Sequence, residues 1–329
     1  MRTPLSWLAD RVELGPRALR WGTTAALIAS ILIIVTGGVV RVTGSGLGCP
    51  TWPECSAGSI ATTPELGIHG LIEFTNRALT GVLVVAVGWA ILAARLQRPR
   101  QRVLTRLAWS QFWLVLVNAI AGGISVLAEL NPWVVALHFL LAIALLATTT
   151  LTWHRARQST GAVVLPAADA RLADVLTVTT FALLVVGTLV TGSGPHSGDS
   201  AEVPRMGFNW TVVTYVHSAL AVLVLCLAVV LLLRLRRPEA RVARRRVITL
   251  LAVFALQGLV GVVQALNGLP EVLVVLHLLG SALVWVGAVR VLLDVRPRLF
   301  GAVLPPAGDA PGEPAFAASR NPVGAPPRP

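Results

Sequence analysis

The stretch Trp133–Trp153 reads WVVALHFLLAIALLATTTLTW and holds no Asp, Glu, Lys or Arg; its one imidazole is that of His138. A helix needs about 20 apolar residues to cross a bilayer core, and this run has that length. In lipid every backbone N–H and C=O must be paired within the segment, so the run reads as a helix and not as a lone strand. Seven further apolar runs of about this length, some with one or two charged residues, lie at Trp21–Thr43, Leu66–Ala94, Leu104–Leu127, Leu172–Thr191, Trp210–Leu233, Val247–Leu266 and Val272–Leu293. Over all 329 residues the hydrophobic share is 55% and the mean hydropathy +0.76. An ordinary soluble domain is less apolar than this. The expectation is an all-α integral membrane protein with eight transmembrane helices, its core lying between the helices.

Charge orients those helices. The net charge of +12 is carried by arginine, with no lysine in the chain. Arg2, Arg11, Arg17 and Arg20 precede the first run, and Arg95, Arg98, Arg100, Arg102 and Arg106 separate the second from the third. Arg155, Arg157 and Arg171 lie between the fourth and fifth, and Arg234, Arg236, Arg237, Arg241, Arg244, Arg245 and Arg246 between the sixth and seventh. Arg290, Arg296 and Arg298 mark the end of the eighth. The alternate loops carry Glu54, Glu65, Glu129, Asp199, Glu202 and Glu271, with Arg205 their one strong base. Positive loops stay cytoplasmic, so both termini are expected inside. The arginines fall at helix ends, where lipid anchoring and topology account for them, so membrane lipid is the expected partner and nucleic acid is not. The first run lacks a small-residue cleavage site, and no signal peptide is expected. Arginine without lysine, with abundant Ala, Val and Gly, suggests a GC-rich bacterial genome and a multi-pass protein of the bacterial cell membrane.

The chain is also duplicated. Thr-Gly-Ser-Gly occurs at Thr43–Gly46 and again at Thr191–Gly194, 148 positions later, and the same offset carries His69 onto His217. Each is followed by a hydrophobic stretch, a basic loop and two apolar segments, the second bearing His138 or His277. Those two lie six and seven residues after Pro132 and Pro270, so a one-residue indel aligns them. The expected organisation is a cytoplasmic N-terminus (1–20), a four-helix half (21–157), a cytoplasmic linker (158–171), a second four-helix half (172–295) and a disordered tail (296–329). The halves are expected to form two four-helix bundles related by a pseudo-twofold axis.

An ionisable residue inside a membrane span is a functional candidate. His69, His138, His217 and His277 each sit on an even-numbered span, near the end placed outside, and are expected at similar depth. Haem iron takes axial imidazoles projecting from facing helices into an apolar slot. One such histidine alone reads as a buried side chain hydrogen-bonded across helices; four at repeat-related positions read as ligands. The pairs His69–His138 and His217–His277 give one candidate haem pocket per half. His154, beside Arg155, is expected at the interface, and His196 in a solvated outer loop.

The second span carries more chemistry than its repeat partner. His69, Glu73, Asn76 and Arg77 fall at i, i+4, i+7 and i+8, on one helix face, whereas Ala221 stands 148 positions beyond Glu73. A carboxylate in apolar surroundings takes up a proton or pairs with a cation. Glu73 is therefore either a proton-transfer group or half of an ion pair with Arg77. Cys49 and Cys55 lie in the first outer loop, where a disulfide can form, either as a clip or as a redox element. Cys226, alone in an apolar helix, reads as packing. The asymmetry suggests a catalytic first half and a cofactor-holding second half.

These residues resemble the heme A synthase family. The resemblance covers residues 20–295 and is most specific at Gly37–Pro50 with Trp52, Pro53 and Cys55, and at Ile72–Arg77, which is similar to the family's Glu-aromatic-x-His-Arg motif. It implies oxidation of the methyl group of heme O to the formyl of heme A, by successive hydroxylation, for terminal oxidase biogenesis. It implies Glu73 as the acidic residue of the reaction, His138 as a ligand in the substrate half, and His217 and His277 as the ligands of a resident haem b. It also implies heme O and heme A as ligands, with heme O synthase and oxidase assembly factors as partners. Asn76 departs from the pattern, standing where the family motif has histidine, and is itself expected as a substrate contact. Either His69 supplies the missing ligand or the substrate iron is held by His138 alone. Arg41 and Arg77 either pair with propionates, which a guanidinium recognises bidentately, or serve as anchors and as the partner of Glu73.

Two other classes compete. A di-haem electron-transfer cytochrome explains the histidines but leaves Glu73 and the Cys49–Cys55 loop without a task. A repeat-built transporter places its polar groups at broken helices near the midplane, not near one end. Gly44, Gly46 and Gly48 form no dinucleotide loop without a βαβ unit. Two cysteines without paired histidines make no zinc site. No acidic cluster for diphosphate and Mg²⁺ occurs in the spans, which argues against a prenyltransferase.

Overall fold

A computed structural model describes residues 4–158, 165–196, 198–199, 203–297 and 299. Residues 159–164 of the expected linker, Arg2, Glu202, Arg298 and the expected disordered tail beyond 299 lie outside the described residues. The helices are α1 Pro4–Arg11, α2 Pro16–Val42, α3 Gly67–Arg95, α4 Arg102–Leu127, α5 Pro132–Arg155, α6 Ala167–Ser193, α7 Trp210–Arg234, α8 Arg241–Leu266 and α9 Glu271–Val295. All but α1 are long and apolar enough to cross a membrane. The described residues hold no strand, only the isolated bridges Ser45–Asp199 and Ser56–Ser59.

Local chemistry sets the helix starts. Pro16 and Pro132 open α2 and α5, where a missing N–H costs nothing because the first turn has no acceptor for it. Asn131 and Asn209 cap α5 and α7, their Oδ1 atoms accepting from the N–H groups of Trp133 and Val212 at 3.1 Å. The apolar runs locate every long helix but stop short of its basic end. α8 begins at Arg241, six residues before the run at Val247. Arginine stems extend a helix along the apolar surface while the head stays in water.

Consecutive helices pack as antiparallel hairpins, α2 on α3, α4 on α5, α6 on α7 and α8 on α9. α5 also closes back on α2 and α9 on α6, while α9 meets α2 and α5. A buried cluster of Leu27, Ile34, Ile143, Leu146, Ala282 and Trp285 fills that central contact. Inside it Trp285 Nε1 donates to the Ile143 carbonyl at 3.0 Å, so an indole N–H costly to bury alone is satisfied across the two helices.

Helix boundaries give the repeat a simpler register than the prolines do. α4 and α8 both begin and end 139 positions apart, as do the starts of α5 and α9. Leu130 (φ 56°) and Leu269 (φ 61°) are left-handed at the same separation, each preceded by a second positive-φ residue, Glu129 or Gly268. Asn131 therefore matches Pro270, both at the position just before a helix, and the indel that paired Pro132 with Pro270 is not needed.

At the arginine-rich helix ends Asp294 accepts from Arg246 Nε at 3.2 Å and lies 3.4 Å from His154 Nε2. His154, expected at the interface, is only 8% exposed because that carboxylate on α9 draws it inward. Arg155 is also buried and donates to the Pro297 carbonyl at 2.7 Å. Asp169 pairs with Arg234 at 2.7 Å, joining α6 to α7.

Candidate haem and loop site

Three of the four hairpins repeat one arrangement. A Cβ added to Gly122 would come to 3.0 Å from His138 Cε1, one at Gly261 to 3.0 Å from His277 Cε1, and one at Gly187 to 3.3 Å from His217 Cε1. The first helix of each pair thus offers a glycine on which the imidazole of the second helix rests. Substitution there would push the ring by a few tenths of an ångström. Among the described residues the Nδ1 atoms of all three rings are buried without a hydrogen bond of good geometry, although the backbone of Asn118, Leu183 and Gln257, one turn before each glycine, faces the rings.

Depth separates His69 from the others. His138 and His217 lie 17 residues before the last residues of their helices, Arg155 and Arg234, and His277 lies 18 before Val295. His69 lies 26 before Arg95, in the first turn of α3, and Asn76 lies 19 before it. The similar depth expected for all four holds for three; α3 is the longer helix, and its extra residues carry His69 outward. There its Nδ1 is 3.0 Å from the hydroxyl of buried Ser45, which is 2.8 Å from Thr43 Oγ1. Asn76 Oδ1 lies 2.7 Å from Thr36 Oγ1 on α2.

Glu73 and Arg77 hold the outer loop. Glu73 is 5% exposed, and its Oε2 accepts from the Cys49 N–H at 2.7 Å. Its Oε1 accepts from Arg77 Nε at 3.1 Å and from Nη2 at 2.6 Å. Arg77 also donates to the carbonyls of Cys49, Thr51 and Glu54, at 3.0, 2.9 and 3.1 Å. All five guanidinium N–H groups are thereby spent inside the protein. Cys49 and Cys55 form a disulfide and are fully buried. The Trp52 indole from this loop lies over Gly123, where a Cβ would come to 2.4 Å from its ring, beside the glycine that seats His138.

Arg41 reaches the other half, donating from Nη2 to the Thr191 carbonyl at 3.0 Å, and its buried Nε has no partner among the described residues. Two further contacts join the halves nearby: the Gly46 N–H donates to the Gly198 carbonyl at 2.7 Å, and the Leu47 N–H to Asp199 Oδ2 at 3.3 Å. Arg205 donates to the carbonyls of Gly194 and Pro195, and burial lowers its pKa below the usual guanidinium value. His196, expected in solvent, is half-buried with Nε2 2.9 Å from the Leu269 carbonyl. Cys226, expected to pack inside, is exposed on α7. An open groove of about 500 Å³ lined by Arg171 and Arg296 lies at the opposite helix ends from the histidines.

The residues of the second half fit a haem iron. The rings of His217 and His277 face each other with centroids 6.5 Å apart. Two imidazole–metal bonds of about 2 Å each, with the half-widths of both rings, span about 6 Å. Their glycine seats hold the Nδ1 side of each ring against the neighbouring helix, at a ring spacing that a metal can bridge. No such ring contact joins His69 to His138 among the described residues. Glycines 122, 187 and 261 escaped the sequence reading, although Gly122 and Gly261 share the separation of 139 that relates His138 to His277.

Fold and site define a multi-pass membrane protein with an imidazole pair suited to haem. The sequence model of the COX15-CtaA family, Cytochrome oxidase assembly protein, matches residues 20–289, and the chain belongs to that family. It is 32% identical over 133 residues to the Heme A synthase of Lysinibacillus sphaericus, covering 40% of this chain and 43% of that protein. To the Heme A synthase of Exiguobacterium sibiricum it is 33% identical over 136 residues, 39% of this chain and 44% of that protein. With that of Staphylococcus haemolyticus it shares 33% identity over 125 residues, 37% and 40% of the two chains. The match spans less than half the length of each of these relatives.

Proposed function

We propose that the chain is a heme A synthase, a haem-modifying oxidoreductase that oxidises the methyl group of heme O to the formyl of heme A in a bacterial plasma membrane. Both termini are cytoplasmic, and the chain comprises two pseudo-twofold-related four-helix bundles. The observation that supports this reading best is the asymmetry of two otherwise repeated halves. One half has His217 and His277 facing each other with no carboxylate between them. The other has His138 beside a loop held by Glu73, Arg77 and a disulfide. Heme O synthase and oxidase assembly factors are the partners that supply the substrate and receive the product.

His217 and His277 hold haem b, which when bound supplies a one-electron relay. The N-terminal half binds heme O as substrate, with His138 on its iron. Each of two successive hydroxylations of the methyl carbon replaces a C–H by a C–OH, with water as oxygen source, and releases two protons and two electrons. The electrons pass to an external electron acceptor, and the geminal diol then loses water to leave the formyl group. Glu73 is the group that accepts a proton as C–H bonds are lost, at Oε2 once the Cys49 N–H yields it. Arg77 fixes Glu73 and the loop rather than a propionate, and Trp52 excludes water from the pocket beside His138. Arg41, whose Nε is free among its described contacts, is the arginine that meets a propionate. His69 stands at the outer rim, positioned by Ser45.

The test is pigment analysis of purified protein supplied with heme O and an electron acceptor. Hydroxylated and formylated haem are the expected products. Bound haem returned unmodified would instead favour an electron-transfer cytochrome, the second reading that paired imidazoles support.

A further inference from the structure

We propose that Thr36 and Asn76 are the fourth histidine seat of the fold, rebuilt without an imidazole, so that the substrate iron is ligated from one face only, by His138. This rests on the haem-binding reading above and specifies its coordination. In the other three hairpins the seat is a glycine five or six residues before the end of the first helix: Gly122 before Leu127, Gly261 before Leu266 and Gly187 before Ser193. Under each lies a histidine 17 or 18 residues before the end of the second helix. In the α2–α3 hairpin Gly37 stands five before Val42, but nothing lies within 4 Å of its Cβ; the residue six before is Thr36, and the residue at nearly the same depth of α3 is Asn76.

These two side chains touch. Thr36 Oγ1 is 2.7 Å from Asn76 Oδ1 and 3.0 Å from the Leu32 carbonyl. Where glycine stands elsewhere, a Cβ alone would already approach the imidazole to 3.0–3.3 Å. Threonine adds a methyl and a hydroxyl beyond that Cβ, filling the space over which a ring lies in the other hairpins. The paired change is consistent in chemistry too: the smaller carboxamide fits beneath threonine, and the hydroxyl satisfies it. Imidazole suits iron, whereas a neutral carboxamide is a poor ligand for it. His69 does not stand in for it. It lies seven residues outward of Asn76, about 10 Å along the axis, in the first turn of α3.

Ferric haem with one axial imidazole is five-coordinate and high-spin, while two imidazoles make it six-coordinate and low-spin. The full chain, purified with haem b and loaded with heme O, should therefore give one low-spin and one high-spin electron paramagnetic resonance signal. His138→Ala should remove the high-spin species, and His69→Ala should leave both unchanged. In the double variant Thr36→Gly with Asn76→His the high-spin signal should convert to a second low-spin one, whereas Asn76→His alone, crowded by Thr36, should convert little. Two low-spin signals in the parent, one of them lost in His69→Ala, would overturn the proposal. So would a double variant that binds heme O and remains high-spin. Should the double variant fail to fold, the parent and His69→Ala signals still decide. A parent that takes up no haem at all would instead remove the functional reading on which the proposal stands.

Discussion

The structural and the proposed catalytic task of Glu73 can be separated by a single atom. Its carboxylate anchors the Cys49 N–H and neutralises Arg77, and it is also the buried acid beside the proposed substrate pocket. In Glu73→Gln an amide oxygen still accepts the Cys49 N–H while the charge is gone. Turnover should fall by about 10²–10⁴, the usual size of a lost general base, with the melting temperature lowered less than in Glu73→Ala. Glu73→Ala should lose turnover and also destabilise the fold by about 3 kcal/mol, because Arg77 then stays half-buried without its partner. An active Glu73→Gln enzyme would reduce Glu73 to a loop clamp. The glycine seats make a second residue-scale claim. Gly261→Ala should shift the absorption and midpoint potential of haem b by displacing His277, while Gly258→Ala on the same helix, with nothing within 4 Å of its Cβ, should not. Identical spectra for the two variants would contradict the seat.

The working element of this fold is the helical hairpin, in which a seat on one helix meets an imidazole on the next. All eight long helices were legible in the sequence because lipid imposes length and apolarity together, and only those two properties were needed to find them. Their ends were less legible: α8 starts six residues before its apolar run because arginine can remain helical in the headgroup region. α1, eight residues long, carries no such length signal. The shared depth of the histidines was misread at His69, since an offset between identical motifs says nothing about how far a helix extends. That α3 runs 29 residues and α7 25 becomes visible only once both ends are placed. The seats were hidden for a related reason, since a glycine is meaningful here only for what lies above it. Hairpin turns supply a stability prediction. Glu129 adopts φ 49° where its repeat counterpart is Gly268, and a non-glycine residue in that region costs about 1 kcal/mol. Glu129→Gly should raise stability by about that amount in thermal unfolding; an unchanged or lowered midpoint would show that the turn is not strained.

At the scale of the whole molecule, a repeated unit of four helices is proposed to serve two purposes. The second copy keeps a facing imidazole pair and no buried acid between the rings. The first copy departs from that symmetry in the proposed account, where Thr36 and Asn76 meet at the depth of the other seats, and carries Glu73, Arg77 and a disulfide loop. The halves remain tied through Arg41 to Thr191, Gly46 to Gly198 and Trp285 to Ile143, so electrons and substrate would meet within one rigid scaffold. Division of labour between the copies is the central claim, and mass analysis of the pigment extracted from the parent and from His138→Ala, each supplied with heme O, tests it most directly. The expected result is haem b in both proteins, with hydroxylated and formylated haem in the parent alone. Formylated haem accumulating undiminished in His138→Ala, or absent from the parent, would contradict it.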